Sequence, residues 1–222
     1  MYRVLLKYKR MQTVSALLPE VKMSNLKYGI MGGTFNPIHN AHIRMAEEVR
    51  DIFDLDKIIF MPTGTPPHKN NLNIDPLDRY EMTKLAISGN DRFEVSDIEI
   101  LNKSISYTVE TVGKLKEFYP NVEFYFITGA DSILDIYKWR NPEKLLTLCK
   151  FVSVRRPNYS DDLEGKIKEI VDKFGGEILL VDGPLLNISS TEIRERVREG
   201  KPIEDFVPKK VVEYIKENKL YI

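Results

Sequence analysis

Five short apolar runs, bounded by turn residues and separated by stretches of helical periodicity, constrain this chain most. They are "KYGIM" (27–31), "KIIFM" (57–61), "VEFYFIT" (122–128), "KFVSVR" (150–155) and "EILLV" (177–181). Between the first two, Ile43, Ala46, Val49 and Phe53 recur at helical spacing. Further helical patterns cover Leu77 to Ile87, Thr108 to Phe118, Leu163 to Phe174 and Val207 to Lys219. This alternation predicts βαβ units, and so an α/β fold with a mostly parallel sheet and helices on both faces. Such a sheet binds ligands beyond the carboxyl ends of its strands, where the strand order reverses. The chemistry is therefore expected just after strands.

At 222 residues the chain can bury one sizeable core, and it has no repeat or Pro/Gly-rich linker. A single domain over residues 26–222 is expected. Residues 1–25 precede the first βα unit and are expected to be a dispensable extension, with Met23 as the natural start. Lys plus Arg equals Asp plus Glu at 33 each, so no global field recruits nucleic acid or an anionic membrane. Phosphate, if bound, must be held by local groups. The lone Cys149 excludes an intramolecular disulfide and a cysteine-based zinc site, and reads as a small buried hydrophobe. No apolar run approaches the ~20 residues of a membrane span, and "VLL" near the amino terminus is too short for a signal-peptide core. A cytoplasmic protein is expected.

The first strand leads into "GIMGGTFNPIHNAH" (29–42). Gly32 and Gly33 can take positive φ and let a ligand approach the backbone. Free N–H groups at the start of the following helix form an anion site. This is neither a P-loop, since no Gly-Lys-Ser/Thr follows, nor the dinucleotide fingerprint, whose glycine spacing differs. His39 and His42 are three apart and share one side of the first turn if the helix begins near Asn40. A zinc site would want a third ligand and a spacing of four with a glutamate, so protein ligation of a metal is not expected. An isolated histidine here would read as a satisfied helix-start residue. Two of the chain's three histidines at a strand–glycine–helix junction point to phosphate donors.

"NISSTEIRERV" (187–197) carries a second strong signal. Ser189 to Glu192 fits a capping box, with Ser189 capping the helix and Glu192 reaching back. The anion-ready helix start offers the Ser190 and Thr191 hydroxyls, and Arg194 leans back towards them from one turn in. The remaining stretches are less specific by themselves. "MPTGTPPHKNN" reads as a rigid solvated turn, although Lys69 would be a standing cation. Tyr107 and Thr108 in "SISYTVET" fit a core aromatic and a helix-start residue. In "FITGADSILDIYKWRNPEKLL" the chain turns at Gly129, and Asp131 fits a helix N-cap as well as a sugar-binding position. Trp139, the only tryptophan, fits a core or interface residue, and Arg155 at a strand end fits a solvated cation.

"GGTFNPIHNAH" resembles the His-x-Gly-His signature of the nucleotidyltransferase superfamily, in the form found in bacterial nicotinate-nucleotide adenylyltransferases. "TPPHK", "SYTVET", "GADS…KW" and "ISSTEIR" are similar to that family's further motifs, so the resemblance spans residues 27–222. Two positions depart from the pattern: Asn36 where the family commonly has Asp, and Ala41 where it has Gly. The resemblance implies a Rossmann-like fold and transfer of adenylyl from ATP to nicotinate mononucleotide, with Mg²⁺ bridging phosphates through water. It implies catalytic roles for His39, His42, Lys69 and Arg194. It implies an ATP site at Gly32, Gly33, Thr34, Phe35, His39, His42, Gly129, Asp131, Ser189, Ser190, Thr191 and Arg194. The mononucleotide would meet Asn36, Thr65, Lys69, Tyr107, Thr108, Trp139 and Arg155, with Trp139 stacking on the pyridine.

Three alternatives stay open at this point. One is a related transferase using nicotinamide mononucleotide, phosphopantetheine or another small phosphate. A second is a non-catalytic nucleotide sensor, against which the joint presence of His39, His42, Lys69 and Arg194 weighs. A nucleic-acid-binding module is disfavoured by the zero net charge. The oligomeric state is left open, a homo-oligomer included.

Overall fold

The structure of the chain, a computed structural model, describes residues 26–64, 74–102, 104–155, 162–184 and 186–222. The expected extension at 1–25 lies outside the described residues. The elements run β1 (Leu26–Gly33), α1 (Asn40–Phe53), β2 (Lys57–Pro62), α2 (Pro76–Ile87), β3 (Phe93–Val95), α3 (Thr108–Phe118) and β4 (Val122–Gly129). They continue with α4 (Ala130–Leu134), α5 (Pro142–Leu148), β5 (Lys150–Arg155), α6 (Leu163–Phe174), β6 (Ile178–Asp182), α7 (Ser190–Arg198) and α8 (Lys209–Glu217). All five apolar runs are strands.

The six strands form one parallel sheet in the order β3-β2-β1-β4-β5-β6. From β1 the chain builds outward to β3, then returns to the middle with β4 and builds to the other edge. The crevice between the exits of β1 and β4 is therefore the topological switch point. The Gly-Gly turn leaves from one lip and Gly129 from the other.

Because successive strand residues face opposite sides, the sheet separates two cores. Met31, Ile58, Phe60 and Ile127 pack under α1, α2, α7 and α8, through Ala46, Val49, Met82, Ile193, Val211 and Ile215. Ile30, Ile59, Phe124 and Phe126 pack under α3, α5 and α6, through Val112, Leu115, Leu145 and Ile170. Strands covered on both faces read as near-continuous apolar runs, which is why periodicity found them.

Periodicity gives no sign of β3. Its three residues extend the sheet by pairing with Ile58–Phe60 in β2, so tertiary contact rather than pattern makes it a strand. The short helix α5 begins at Asn141, whose side chain accepts the Lys144 N–H, with Pro142 at its first position. Among the described residues no helix is long and apolar enough to cross a membrane.

Candidate active site

A cleft of about 850 Å³ opens over the carboxyl ends of β1 and β4. Its wall brings together Gly32, Gly33, Thr34, Phe35, Asn36, His39 and His42 from the first βα junction with Gly129 and Asp131 from the fourth strand. Arg155 closes one side, and Ser189, Ser190, Thr191 and Arg194 close another.

The glycines act differently from the expectation of positive φ. Gly32 and Gly33 end β1, and neither is among the positive-φ glycines. Their missing side chains make room instead: a Cβ on Gly32 would meet the Phe126 ring at 2.9 Å, and one on Gly33 the Phe35 ring at 2.7 Å. The left-handed residue of the turn is Phe35, at φ 46. A non-glycine residue there costs roughly 1–2 kcal/mol, offset by burying its ring against Phe60 and edge-on against His42.

His39 is the N-cap of α1 and His42 lies one turn in, as the spacing predicts. Their rings stack with centroids 3.6 Å apart. His42 Nδ1 accepts the His39 backbone N–H at 3.3 Å, which puts the proton of the neutral ring on Nε2 and makes that atom a donor. The helix start is less free than the sequence suggests, because the Asn40 N–H already donates to the Phe206 carbonyl.

The opposite wall comes from α7. Ser189 caps it by accepting the Glu192 N–H at 3.2 Å. Arg194 donates from Nη1 to the Asn36 carbonyl at 2.8 Å and from Nη2 to Thr191 Oγ1 at 3.2 Å. The Ser190 hydroxyl, expected to be available, donates to the Pro37 carbonyl at 2.9 Å and retains only acceptor capacity. Helix α7 is thus sewn onto the loop that follows β1.

Other expected site residues are placed variously. Asp131 sits in the first turn of α4, whose N-cap is Gly129 rather than the aspartate. It is the one carboxylate on the cleft wall among the described residues. Arg155 is engaged with Asp182 across β5 and β6 at 2.7 Å, and that carboxylate holds its pKa above the ordinary arginine value. Tyr107, Thr108 and Trp139 do not line this cleft. Tyr107 and Thr108 begin α3, and Trp139 packs edge-on against Phe126 and Phe151. Arg140, next to Trp139, lies over the Tyr107 ring at 4.4 Å, which joins these aromatics into a group of their own. Thr65 and Lys69 lie outside the described residues. Among the described residues no cluster of three or more His, Cys, Asp or Glu could hold a metal ion.

Residues 30–196 match the cytidylyltransferase-like family. A Desulfitobacterium hafniense protein named "Probable nicotinate-nucleotide adenylyltransferase" is 48% identical over 198 residues, covering 88% of this chain and 95% of that one. A Clostridium tetani protein of the same name is 44% identical over 197 residues, covering 88% of this chain and 98% of the relative. The chain belongs to the nicotinate-nucleotide adenylyltransferase family. The Plasmodium falciparum nicotinic acid mononucleotide adenylyltransferase complexed with NaAD shares the fold, with a TM-score of 0.73 at 24% identity over 88% of this chain and 97% of that one. Its complex with APC gives a TM-score of 0.70 at the same identity and coverage.

Within this family framework two residues stand out that motif reading does not reveal. Tyr221, next to the last residue, donates from its hydroxyl to Asn36 Oδ1 at 2.8 Å. Burial pushes its phenol up, against the pull of Arg194 and Arg79, so the hydroxyl keeps its proton and remains a donor. Arg79 is fully buried in α2 and donates to the carbonyls of Thr34 and Gly64 at 2.7 and 3.0 Å. A signal for Arg79 does exist: it lies on one helical face with Met82, Thr83 and Ile87, an arginine within an apolar stripe. Tyr221 leaves no such trace. Together Arg79, Arg194, Ser190 and Tyr221 occupy acceptors of residues 34–37 from outside the loop.

Proposed function

We infer that the chain transfers the adenylyl group of ATP to nicotinate mononucleotide, giving deamido-NAD and pyrophosphate. A phosphate oxygen of the mononucleotide attacks the α-phosphorus of ATP. The bond from that phosphorus to the oxygen bridging the β-phosphate breaks, and pyrophosphate leaves with the electron pair. The incoming phosphate is already a nucleophile, so no serine, cysteine or histidine arrangement is needed to create one.

The task left to the protein is to bring two anions together. Orientation supplies roughly 7–11 kcal/mol, and a well-aimed donor roughly 2.7–4 kcal/mol. Together these reach the ~8–23 kcal/mol of a typical enzyme. On this reading His42 Nε2–H, His39, Arg194 and the open start of α7 take the triphosphate, and Asp131 faces the ribose hydroxyls. Lys69 and Arg155 serve the mononucleotide phosphate, and Tyr107, Thr108 and Trp139 its ring. The cleft wall has a single carboxylate among the described residues, which suits Mg²⁺ carried in on phosphate oxygens and water rather than in a protein cage. Bound in that way, the ion would neutralise charge on the leaving pyrophosphate.

One observation carries this reading: Arg194 of α7 bonds the Asn36 carbonyl in the same loop that ends in the stacked His39–His42 pair. Pyrophosphate release from ATP and Mg²⁺ should be fast with the acid mononucleotide and slow with its amide. Equal or inverted rates would move the chain to another substrate, and no release with either would leave a nucleotide-binding protein without this activity.

A further inference from the structure

Arg79 leads the fully buried side chains of the described residues in size, and it does not line the cleft. Burying a guanidinium is unfavourable unless its N–H groups meet good acceptors, and a well-packed apolar residue would often stabilise the same site as well or better. Here the acceptors are two main-chain carbonyls from different loops. Thr34 lies just past the end of β1 and Gly64 just past the end of β2. The two strands are neighbours in register, Gly33 opposite Pro62, so one planar side chain spans their exits.

Both bonds have geometric consequences. In a trans peptide the C=O and N–H point opposite ways, so fixing the Thr34 oxygen towards Arg79 turns the Phe35 N–H away from it. At Gly64 the grip is two-sided. Its carbonyl accepts from Arg79, and its N–H donates to the buried Glu99 carboxyl, which also accepts the Thr111 hydroxyl of α3 at 2.9 Å. No side chain fits at this glycine, because a Cβ would collide with the Glu99 carbonyl oxygen. Two interior charged residues are thus spent on holding the two peptide groups that flank Gly64.

We propose that Arg79, assisted by Glu99, is a positioning residue that locks the exits of β1 and β2 to each other. The loop leading to His39 and His42 and the exit of β2 at Thr63 and Gly64 then keep one relative placement. The consequence for turnover rests on the adenylyl-transfer reading, in which the first segment holds ATP and Thr65 and Lys69, beyond the exit of β2, serve the mononucleotide. Arg79 touches neither reactant. It sets the distance between them.

The test compares Arg79→Lys with Met82→Ala, a cavity variant of the neighbouring core position on α2, in the full-length chain. Lysine keeps the charge but cannot offer two forked donors to two carbonyls. In Arg79→Lys, amide hydrogen exchange is expected to speed up in peptides covering 33–39 and 58–64. Its kcat should fall about 10²-fold, as expected for reactants misplaced by an ångström, with the KM for ATP within about threefold. Met82→Ala should lose thermal stability while keeping wild-type exchange in those two segments and wild-type kcat. Wild-type exchange in Arg79→Lys, or an equal loss of kcat in both variants, would overturn the proposal. If Arg79→Lys does not fold, Glu99→Gln decides, because an amide oxygen is a weaker partner for two donors. Exchange over 58–64 should rise in that variant, and an unchanged rate there counts against the brace. A wild-type enzyme inert towards both mononucleotides would remove the adenylyl-transfer reading, while the exchange pattern would still decide the brace.

Discussion

Arg194 and Asn36 lie 158 positions apart in the chain, yet the guanidinium of the first donates to the main-chain oxygen of the second at 2.8 Å. The same guanidinium reaches Thr191 Oγ1, so it is held by both α7 and the loop after β1. Truncation removes a cation from the cleft and a charge-assisted bond worth roughly 1.5–3 kcal/mol. Arg194→Ala is therefore expected to raise the KM for ATP about 10- to 100-fold. Arg194→Lys should fall between, keeping the charge and losing the fork. Steady-state kinetics with ATP varied provides the check, and an unchanged KM for ATP in the alanine variant would refute this role.

Tyr221 holds the side chain of the same residue that Arg194 holds by its backbone. Tyr221→Phe deletes only the donor to Asn36 Oδ1. The expected loss is about 1 kcal/mol, or ~2–4 °C in Tm for a chain of this size, together with a several-fold fall in kcat/KM. Calorimetry and pyrophosphate release on one preparation separate the two effects. Lower stability with untouched kcat/KM would mean that the carboxyl terminus only closes the fold.

His42 contributes an Nε2–H donor fixed in direction by the His39 backbone and by ring stacking. Removing one preorganised donor to developing charge costs roughly 10²–10³ in kcat. His42→Ala should show that loss and remain folded, with a stability loss limited to the ~1 kcal/mol of a weakened helix start. Wild-type turnover in this variant would take the histidines out of the mechanism.

Burial pushes the Glu99 carboxyl above its usual 4.5, against the bonds from Thr111 and Gly64 and the field of Arg79. Between that usual value and its folded pKa, the folded chain holds a proton that the unfolded chain has released. The stability this group contributes is therefore fullest below 4.5, declines as pH rises through the window, and is level above it. Glu99→Gln cannot titrate. Subtracting its unfolding free energy from that of the wild type should leave a difference that declines with rising pH and then flattens. A difference that grows with pH would show that the fold favours the carboxylate.

Cys149 is buried behind α5, and desolvation pushes its thiol up to about 12. At pH 8 the thiolate fraction is then about 10⁻⁴, far too small for ready reaction. A colourimetric thiol reagent should leave the native protein unmodified over hours and titrate one equivalent once denaturant is added. Rapid native reaction would place the side chain in solvent.

The sequence alone determined the strands buried on both faces, the α/β alternation, the start of α1 at the histidine pair and the cap of α7. These depend on neighbours in the chain: an apolar run, a helical repeat, a serine three residues before a glutamate. Local pattern also pointed to the β1 exit as a place for an anion, because unpaired N–H groups at a helix start suit one. Only the tertiary structure decided which donors surround that exit. Arg79, Arg194, Ser190 and Tyr221 come from three later parts of the chain, and hydrogen bonds across such separations leave no periodicity to read. The same reason explains β3, a strand because β2 offers it an edge, and Phe35, left-handed because distant groups hold the peptide before it and the ring beside it.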